Sequence, residues 1–443
     1  MIKEHQATRR QFLRASAVLT ASAPFLLPSR LWAAAGEAQP NAKIVMGFIG
    51  TGYQSQHLMN NFLSSDEVQV VAVCDVDSTR REAARKKAEE FYTKKTGQEF
   101  KGCTEYKDFR ELLNRKEIDA VCIATPDHWH AIPAILACEK KKDIYCEKPL
   151  SLTIAEARAM ASAVRKHDRV FQTGSMQRSS SEFLKACELV RNDAIGKVKE
   201  VYVSVGEPSK ACDLPEEPME PGLDWDFWLG QAPKRPYNSV LSPRGVHHHF
   251  PNWRNYREYS GGGMTDWGAH HFDIAQWGLG MDESGPVEII HPDGKEVKKL
   301  TFKYANGVTM YHGGLQGWEK YGAVFVGEKG TIGVNRGQFK ADPEEIAANY
   351  KANTLPVKLY KSNNHIVDFI KCVRSRQKPI CDVEVGARSA TVCHLANLCY
   401  WNKRSLKWDP QAERFVGDAE ANQWLDRERR ARWQGYISNY WKT

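Results

Sequence analysis

The sequence predicts an α/β protein in which a doubly wound parallel sheet precedes an α+β domain with a large, mainly antiparallel open sheet. Apolar strand-like segments alternate with helical ones between residues 43 and 174, and two hairpin signals follow further along the chain. The 443 residues suffice for two or three domains. We expect a signal segment over residues 1–35, the parallel sheet over 43–174, the second domain over 175–360, and C-terminal helices and a tail over 361–443 that pack back on the first domain.

Residues 1–35 have the features of an export signal. A charged start precedes an apolar run over residues 15–27, and small residues occupy Ala33-Ala34-Ala35. Pro24 interrupts the run and Pro28 follows it directly, and the run is too short to span a bilayer as a stable helix. The segment Thr8-Arg9-Arg10-Gln11-Phe12-Leu13-Arg14 resembles the twin-arginine export signal. We therefore expect the twin-arginine export machinery as a partner, folding in the cytoplasm, and a periplasmic protein, either free or anchored by an uncleaved signal.

The charge and the cysteines exclude other classes. The formal charge is +8, and removing residues 1–35, with five basic residues and one acidic residue, leaves +4. This charge is mild and no basic stripe is interleaved with aromatic rings, so no nucleic-acid partner is expected. The 11 cysteines contain no C-x-x-C pair and no paired spacing. We expect neither a disulfide framework nor a metal site.

The first strand of the parallel sheet is predicted over residues 43–49, and a glycine-rich turn follows it. The turn, Gly50-Thr51-Gly52-Tyr53-Gln54-Ser55, is a G-x-G-x-x-G motif with a small serine in the third position. Glycine allows the tight turn and the close approach of a pyrophosphate, which rests on the N-terminus of the next helix. The motif alone is weak evidence, and the following strand strengthens it.

A second strand over residues 68–74 ends at Asp75, 25 positions after Gly50. An acid at this place binds the ribose hydroxyls of a dinucleotide. Its charge repels a 2′-phosphate and favours NAD, although Arg80 and Arg81 leave NADP possible. A helix cap or turn residue is the alternative interpretation of Asp75. The arginines of this segment alternate with glutamates at helical spacing, which favours a solvated helix face.

The alternation continues to residue 174. Helices are predicted over 109–113, 133–139 and 154–167, and strands over 120–124, 143–146 and 171–174. Such alternation implies a parallel sheet, with ligands beyond the carboxyl ends of its strands. The candidates at those ends are residues 125–130 and Glu147-Lys148-Pro149.

These segments carry a family resemblance. Gly50-Thr51-Gly52, Ala124-Thr125-Pro126 with His130, and Glu147-Lys148-Pro149-Leu150 resemble the glucose–fructose oxidoreductase, inositol dehydrogenase and MocA family (Gfo/Idh/MocA), over nearly all of the chain after the signal segment. The resemblance implies a Rossmann domain and a homo-oligomer, either a dimer or a tetramer. It implies that the cofactor contacts are Gly50, Thr51, Gly52, Tyr53, Asp75, Thr125, Pro126, His130, Glu147, Lys148 and Gln177.

Lys148 is the residue that the resemblance places beside the nicotinamide and the reacting hydroxyl. A cation next to that oxygen stabilises the alkoxide that develops during alcohol oxidation. The alternative is an ordinary surface lysine.

The second domain begins with a strand predicted over residues 198–206. Residues 299–304 and 308–312 read as a hairpin around Asn306-Gly307, and residues 321–326 and 331–334 read as another. The resemblance assigns this sheet to substrate binding and to an oligomer interface. A helix over 386–400 is expected to pack back on the first domain.

An irregular, aromatic stretch spans residues 208–259 and includes Trp253 and Tyr256. Its rings suit sugar faces, although most such rings belong to a core. His247-His248-His249 invite a metal, but neighbouring side chains point apart; substrate lining or a plain loop remains open. The predicted substrate contacts are Arg178, Trp253, Tyr256, Asp266 and His270.

A helix is predicted over residues 264–278, with Thr265 as its N-cap and a flexible glycine entry at 261–263. Asp266, His270, Asp273 and Trp277 share one face, whereas His271 is turned by about 100°. Histidine suits a base near neutrality, and an aspartate one turn away can orient it. The inositol-dehydrogenase branch has a matching Asp-x-x-x-His pair, which implies catalytic roles for Asp266, His270 and Lys148. A core helix with a satisfied histidine is the alternative.

The expected function is NAD(P)-dependent oxidation of a secondary hydroxyl of a small carbohydrate, glycoside or polyol, with a tightly bound and recycled cofactor. A related alternative is an NAD-dependent glycoside hydrolase that uses transient oxidation and elimination. Those hydrolases carry a Tyr-x-Thr-His-like segment where this chain has Trp267-Gly268-Ala269-His270, which lowers that option. A non-catalytic sugar-binding or cofactor-binding protein is the remaining alternative.

Overall fold

The computed structural model describes residues 43–348, 350–351 and 354–441. The predicted signal segment, residues 1–35, lies outside these ranges. The strands of the first sheet are Ile44–Ile49 (β1), Val68–Cys74 (β2), Thr104–Tyr106 (β3), Ala120–Ile123 (β4), Asp143–Cys146 (β5) and Phe171–Thr173 (β6). The connecting helices are Tyr53–Leu63 (α1), Ser78–Thr96 (α2), Phe109–Leu113 (α3), Ala131–Glu139 (α4) and Ile154–Lys166 (α5).

All six strands of this sheet are parallel, in the order β3-β2-β1-β4-β5-β6. The strand order reverses between β1 and β4. A crevice opens at such a reversal, beyond the carboxyl ends of the strands, and ligands bind there. The predicted doubly wound sheet is thereby confirmed.

The second sheet is built from nine short strands. They are Val198–Val203 (β7), Glu288–Ile290 (β8), Thr301–Lys303 (β9), Thr309–His312 (β10), Ala323–Gly327 (β11), Thr331–Asn335 (β12), Gln338–Asp342 (β13), Leu406–Asp409 (β14) and Arg414–Phe415 (β15). Their order is β13-β12-β11-β7-β10-β9-β8-β14-β15. Only β7 and β10 pair in parallel, so the predicted, mainly antiparallel sheet is confirmed. Both predicted hairpins occur, as β9–β10 and β11–β12.

The remaining helices cover this sheet and the first domain. They are Ser181–Arg191 (α6), Trp225–Leu229 (α7), Gly263–Asp266 (α8), Gly268–Leu279 (α9), Glu345–Ala348 (α10), His365–Ser375 (α11), Val383–Asn402 (α12) and Ala419–Gln423 (α13). No helix within the described ranges is both long enough and apolar enough to cross a bilayer.

Helix α9 is the centre of the second domain. It packs against α6, α12, β7 and β11, and nearly all of its residues are buried. The approach to the sheet is close, because a Cβ added to Gly278 would lie 2.6 Å from the ring of Phe325. A helix held on several sides places its polar side chains at fixed positions, which matters for the site below.

Helices α11 and α12 join the two domains. α12 packs against both α5 and α9. On α11, Phe369 contacts Phe62 and Tyr145 edge-on and belongs to one of the cores on the first sheet. Arg158 on α5 also binds Glu384 on α12, with a shortest nitrogen–oxygen distance of 2.6 Å. The C-terminal helices therefore hold the crevice of the first sheet against the second domain.

Candidate active site

A cavity of about 950 Å³ lies at the carboxyl ends of the first sheet, between the glycine turn and helices α8 and α9. Its size and mixed polarity are those of a small-molecule site. Twelve of the predicted site residues line it: Gly50, Gly52, Tyr53, Asp75, Thr125, Pro126, Glu147, Lys148, Gln177, Trp253, Asp266 and His270. The fold therefore collects side chains from both domains around one space.

The glycine turn passes tightly under the end of β4. Gly50 has a φ of +83°, and a Cβ there would lie 2.8 Å from the carbonyl of Ala124. A Cβ at Gly52, in contrast, would meet nothing within 4 Å. Gly52 precedes α1 and supplies no side-chain cap, so the first amides of this helix remain available to an anion.

Asp75 is held at the rim of this turn. One of its carboxylate oxygens accepts hydrogen bonds from the amide (2.7 Å) and the hydroxyl (3.0 Å) of Thr51, and the other accepts from the amide of Asp77 (3.0 Å). Thr51 itself does not line the cavity. Thr51 therefore positions Asp75 and does not contact the ligand itself. Asp75 can stabilise the turn and bind the ribose hydroxyls at the same time.

Arg80 and Arg81, the two arginines that follow Asp75, already bind other groups of the protein. Arg80 is buried and bonds to the hydroxyl of Ser242 and the carbonyl of Gly245. The predicted solvated face is wrong at this position, because a loop of the second domain folds over it. Arg81 donates to the carbonyl of Asp75 (2.7 Å) and pairs with Glu105 (3.2 Å).

His130 is not a wall of the cavity, contrary to the predicted cofactor contact. Its two ring nitrogens lie 2.8 Å from the carbonyl of Pro149 and 2.9 Å from that of Thr125. The imidazole thus ties together the segments that follow β4 and β5. From outside the cavity lining, it positions Thr125 and the Glu147-Lys148-Pro149 segment.

Several buried polar atoms point to a missing polar ligand. Both side-chain amide atoms of Gln177 and the hydroxyl of Thr125 lack a hydrogen-bond partner, and both residues line the cavity. Glu147 is buried, accepts a bond from Gln54 (3.1 Å), and has a pKa raised by burial. Buried polar groups without partners are rare unless a ligand or water completes them. Together with the open helix end after Gly52, these groups fit a bound dinucleotide.

Lys148 and Asp266 form a contact between the two domains inside the cavity. The Lys148 ammonium donates to the carboxylate and to the backbone carbonyl of Asp266, both at 2.7 Å. Burial raises the pKa of Asp266, but Lys148 and Arg254 outweigh this effect and hold the pKa below its usual value. Asp266 is therefore a carboxylate whose partner is Lys148; no hydrogen bond joins its side chain to His270.

The predicted helix is interrupted at this point. The His270 amide bonds to the carbonyl of Trp267 (3.0 Å), which leaves the Asp266 carbonyl for Lys148. Thr265 lies inside α8, so the predicted N-cap is wrong. The glycine entry is close-packed, because a Cβ at Gly262 would lie 2.3 Å from the amide of Ser209.

His270 faces the cavity as a neutral imidazole. Burial lowers its pKa well below the usual value, and the charges of Lys148 and Arg336 lower it further. Its Nδ1 has no hydrogen-bond partner. A neutral imidazole can accept a proton, whereas an imidazolium cannot.

Asp127 lines the cavity and belongs to the candidate segment 125–130, but no individual role was predicted for it. It accepts a hydrogen bond from the Ser260 hydroxyl (2.6 Å), and burial raises its pKa to about 7. The available signal was its place directly after Thr125-Pro126 at the end of β4. Arg254 and Arg336 also line the cavity, and no motif marks either of them.

Two predicted substrate contacts lie elsewhere. Arg178 is buried and binds Asp273 (2.8 Å) and Asp282 (2.7 Å), outside the cavity lining. Asp273, which was predicted to share a helix face with Asp266, is bound to Arg178 and does not line the cavity. Tyr256 is buried in the aromatic cluster under the irregular stretch, where long-range packing rather than substrate fixes its ring.

The histidine triplet does not form a metal site. His247 lines the cavity, and its Nδ1 lies 2.9 Å from the carbonyl of His249. Across the described residues, no group of three or more His, Cys, Asp or Glu side chains could hold a metal ion.

Comparisons with known proteins bear on this site. Residues 44–175 match the Gfo/Idh/MocA description "Oxidoreductase family, NAD-binding Rossmann fold", and residues 205–435 match "Oxidoreductase family, C-terminal alpha/beta domain". Myo-inositol 2-dehydrogenase from Thermotoga maritima is 24% identical over 384 residues, which are 82% of this chain and 98% of that protein. Alpha-N-acetylgalactosaminidase from Shewanella oneidensis is 27% identical over 208 residues, which are 44% of this chain and 45% of that protein.

A solved structure has the same fold. It is the WlbA dehydrogenase from Bordetella pertussis in complex with NADH and UDP-GlcNAcA. The TM-score is 0.56 at 17% identity, over 83% of this chain and 98% of that chain.

The two glycines of the turn should separate folding from ligand binding. Gly52→Ala is expected to leave Tm unchanged and to weaken NAD binding about tenfold or more, because the backbone approach is blocked. Gly50→Ala is expected to cost more than about 1 kcal/mol of stability, because its positive φ and close neighbours exclude a Cβ. Calorimetric unfolding and NAD titration measure both effects. Equal NAD affinity of Gly52→Ala and wild type would contradict a dinucleotide on this turn.

Replacing Arg178 should affect stability rather than substrate binding. Arg178→Met leaves the buried Asp273 carboxylate without its cation, and we expect a loss of about 3–5 kcal/mol in the free energy of unfolding. Arg414→Met, at an exposed position of β15, is the control with little effect. Unchanged stability with a raised KM would instead restore the predicted substrate contact.

Asp127 should make stability depend on pH. Its folded pKa of about 7 exceeds the unfolded value of 3.8. Between these values the unfolded chain binds fewer protons, so stability falls as pH rises. Asp127→Asn, which keeps an acceptor for Ser260, is expected to raise Tm by a few °C at about pH 8 and to leave it unchanged at about pH 4. Asp213→Asn, at an exposed site, is the control; an equal gain at both pH values would argue against the raised pKa.

Proposed function

Because the chain belongs to the Gfo/Idh/MocA oxidoreductase family, we propose that it oxidises a secondary hydroxyl of a sugar, glycoside or polyol with NAD, or catalyses the reverse. The observation that carries this proposal is the meeting of Lys148, Asp266 and His270 in the cavity beyond the glycine turn. The printed activity of the Thermotoga maritima relative, a myo-inositol 2-dehydrogenase, supports a polyhydroxylated substrate.

The dinucleotide would be held by groups of both strand-end segments. The amides after Gly52 would receive the pyrophosphate, Asp75 the ribose hydroxyls, and the unpartnered amide of Gln177 the nicotinamide end. When bound, the nicotinamide accepts the hydride that leaves the substrate carbon. The chain's own side chains then have to bind the alcohol, orient it and take its proton.

Lys148 and His270 divide this work. The Lys148 ammonium, held in place by Asp266, faces the alcohol oxygen and stabilises the negative charge that develops on it. His270, neutral because burial lowers its pKa, accepts the hydroxyl proton on its imidazole. Asp127 is a second proton acceptor in the same cavity, with a pKa of about 7.

NAD is preferred over NADP in this proposal. The Asp75 carboxylate, fixed by Thr51, would repel a 2′-phosphate. Arg80 and Arg81, the cations that could receive such a phosphate, are already bonded to protein carbonyls and to Ser242 or Glu105.

Export and cofactor retention belong to the same proposal. The twin-arginine-like segment Thr8–Arg14 supports export of the folded protein to the periplasm, where free NAD is scarce. A cofactor loaded before export and recycled within the site would meet this constraint. We also propose a homo-oligomer, a dimer or tetramer, formed through the large open sheet.

An NAD-dependent glycoside hydrolase is the second candidate. The similarity to an alpha-N-acetylgalactosaminidase, over 208 residues of this chain, supports this candidate. Such an enzyme would oxidise the sugar ring transiently, eliminate a substituent and return the hydride. A non-catalytic sugar-binding protein is disfavoured by a cavity that holds a lysine, its carboxylate partner and a neutral histidine together.

The full chain, purified after export, should carry its cofactor. We expect denaturation to release about one NAD per chain, identified by mass and absorbance. Release of no dinucleotide would contradict a retained cofactor. Incubation with a panel of sugars and glycosides then separates the two candidates, because oxidation removes two hydrogens from the sugar, whereas hydrolysis releases a free sugar without net oxidation.

Single-turnover reduction of the bound cofactor tests the residues. Lys148→Ala and His270→Ala are each expected to slow it at least about 100-fold, because each removes a group that acts in the transition state. Lys199→Ala and His248→Ala, both exposed, are the matched controls. Turnover at the wild-type rate in Lys148→Ala would favour the non-catalytic alternative.

A further inference from the structure

Arg336 is a cation of the active-site region without an acidic partner. It lies in the turn between β12 and β13, and its guanidinium packs 4.9 Å from the ring centre of Trp267. No ion pair or hydrogen bond of the described residues involves this guanidinium, and Asp266, the one acid that acts on its pKa, is occupied by Lys148. Residue 336 is exposed, so a ligand that enters from solvent can reach this unpaired charge.

Arg336 lies where two cavities meet. It lines the active-site cavity and also an adjacent polar cavity of about 360 Å³, and Trp267 is the other residue that lines both. Trp267 is 45% exposed and follows Asp266 directly. A ligand group bound to Arg336 would therefore lie beside Trp267 and close to Asp266, at the reacting end of the site.

The charge around this end is positive. Lys148, Arg254 and Arg336 line the cavity together with the carboxylates of Asp266 and Glu182, and Glu182 accepts a bond from the amide of Gly337 (3.0 Å). Burial raises the pKa of the other two acids at this end, Asp127 and Glu147, and so disfavours their charged forms. A neutral sugar would leave this excess uncompensated, whereas an anion would neutralise it.

We propose that Arg336 determines specificity for a sugar that carries a carboxylate, such as a hexuronoside, and binds that carboxylate at the junction of the two cavities. This inference rests on the proposed function, since it concerns the substrate of the same site. The planar guanidinium matches a carboxylate with two parallel hydrogen bonds, a geometry that Lys cannot reproduce. Trp267 packs against the guanidinium, 4.9 Å from its ring centre, and so restrains the position of this side chain.

The test compares three glycosides with the same aglycone: p-nitrophenyl glucuronide, p-nitrophenyl glucoside and p-nitrophenyl glucoside 6-sulfate. Calorimetric binding to the cofactor-loaded full chain needs no turnover. We expect the glucuronide to bind at least about tenfold more tightly than the glucoside. In R336Q this ratio should fall about tenfold, and in R336K it should fall partly, because the charge remains but the fork is lost.

K340Q is the matched control. Lys340 lies in the same hairpin, its ammonium packs 4.7 Å from the ring centre of Trp318, and it lines neither cavity. It should keep the wild-type ratio. If the protein instead prefers the sulfate ester over the glucuronide and R336Q loses this preference, Arg336 binds an anion, but the proposed specificity for a carboxylate is wrong. Equal affinity for all three glycosides in wild type would overturn the inference, even if the bound cofactor is reduced by the neutral glucoside and the proposed oxidation stands.

Discussion

The ion pair between Lys148 and Asp266 is the contact on which the site depends. It joins the end of β5 to the end of α8, 118 residues apart in the chain, with two hydrogen bonds of 2.7 Å. One of these bonds uses the Asp266 carbonyl, which is free because the His270 amide bonds to Trp267 instead. The break in the helix therefore provides the carbonyl that binds the lysine. Because the two residues belong to different domains, both domains must be folded before the pair can form.

The surroundings of this pair assign different protonation states to neighbouring groups. Burial in a region that already holds Lys148 and Arg336 disfavours a second positive charge, so His270 is neutral. Lys148 and Arg254 keep the pKa of Asp266 low despite its burial, whereas Asp127, with a hydroxyl as its hydrogen-bond partner, has a pKa of about 7. Groups whose environments separate their pKa values can take distinct acid and base roles in one cavity.

Residues outside the cavity hold the catalytic groups in place. His130 ties the segments after β4 and β5 together, Thr51 fixes Asp75, and the Arg178–Asp273 pair anchors α9 from within the core. The family resemblance marked Thr51 and His130, and helical spacing marked Asp273. Thr51, His130 and Arg178 were assigned to ligands, because a sequence does not reveal whether a polar side chain finds its partner in a substrate or in the protein.

The sequence by itself determined the two-domain architecture, the glycine turn, the acid after β2 and the lysine after β5, because strand periodicity, turn chemistry and short motifs are local properties. The tertiary structure alone decided that Asp266 pairs with Lys148 rather than with His270, that Arg80 is covered, and that Arg336 reaches the reacting end. These outcomes depend on which side chains from distant segments meet, and on the desolvation and charge that each meeting brings, neither of which is encoded in local spacing.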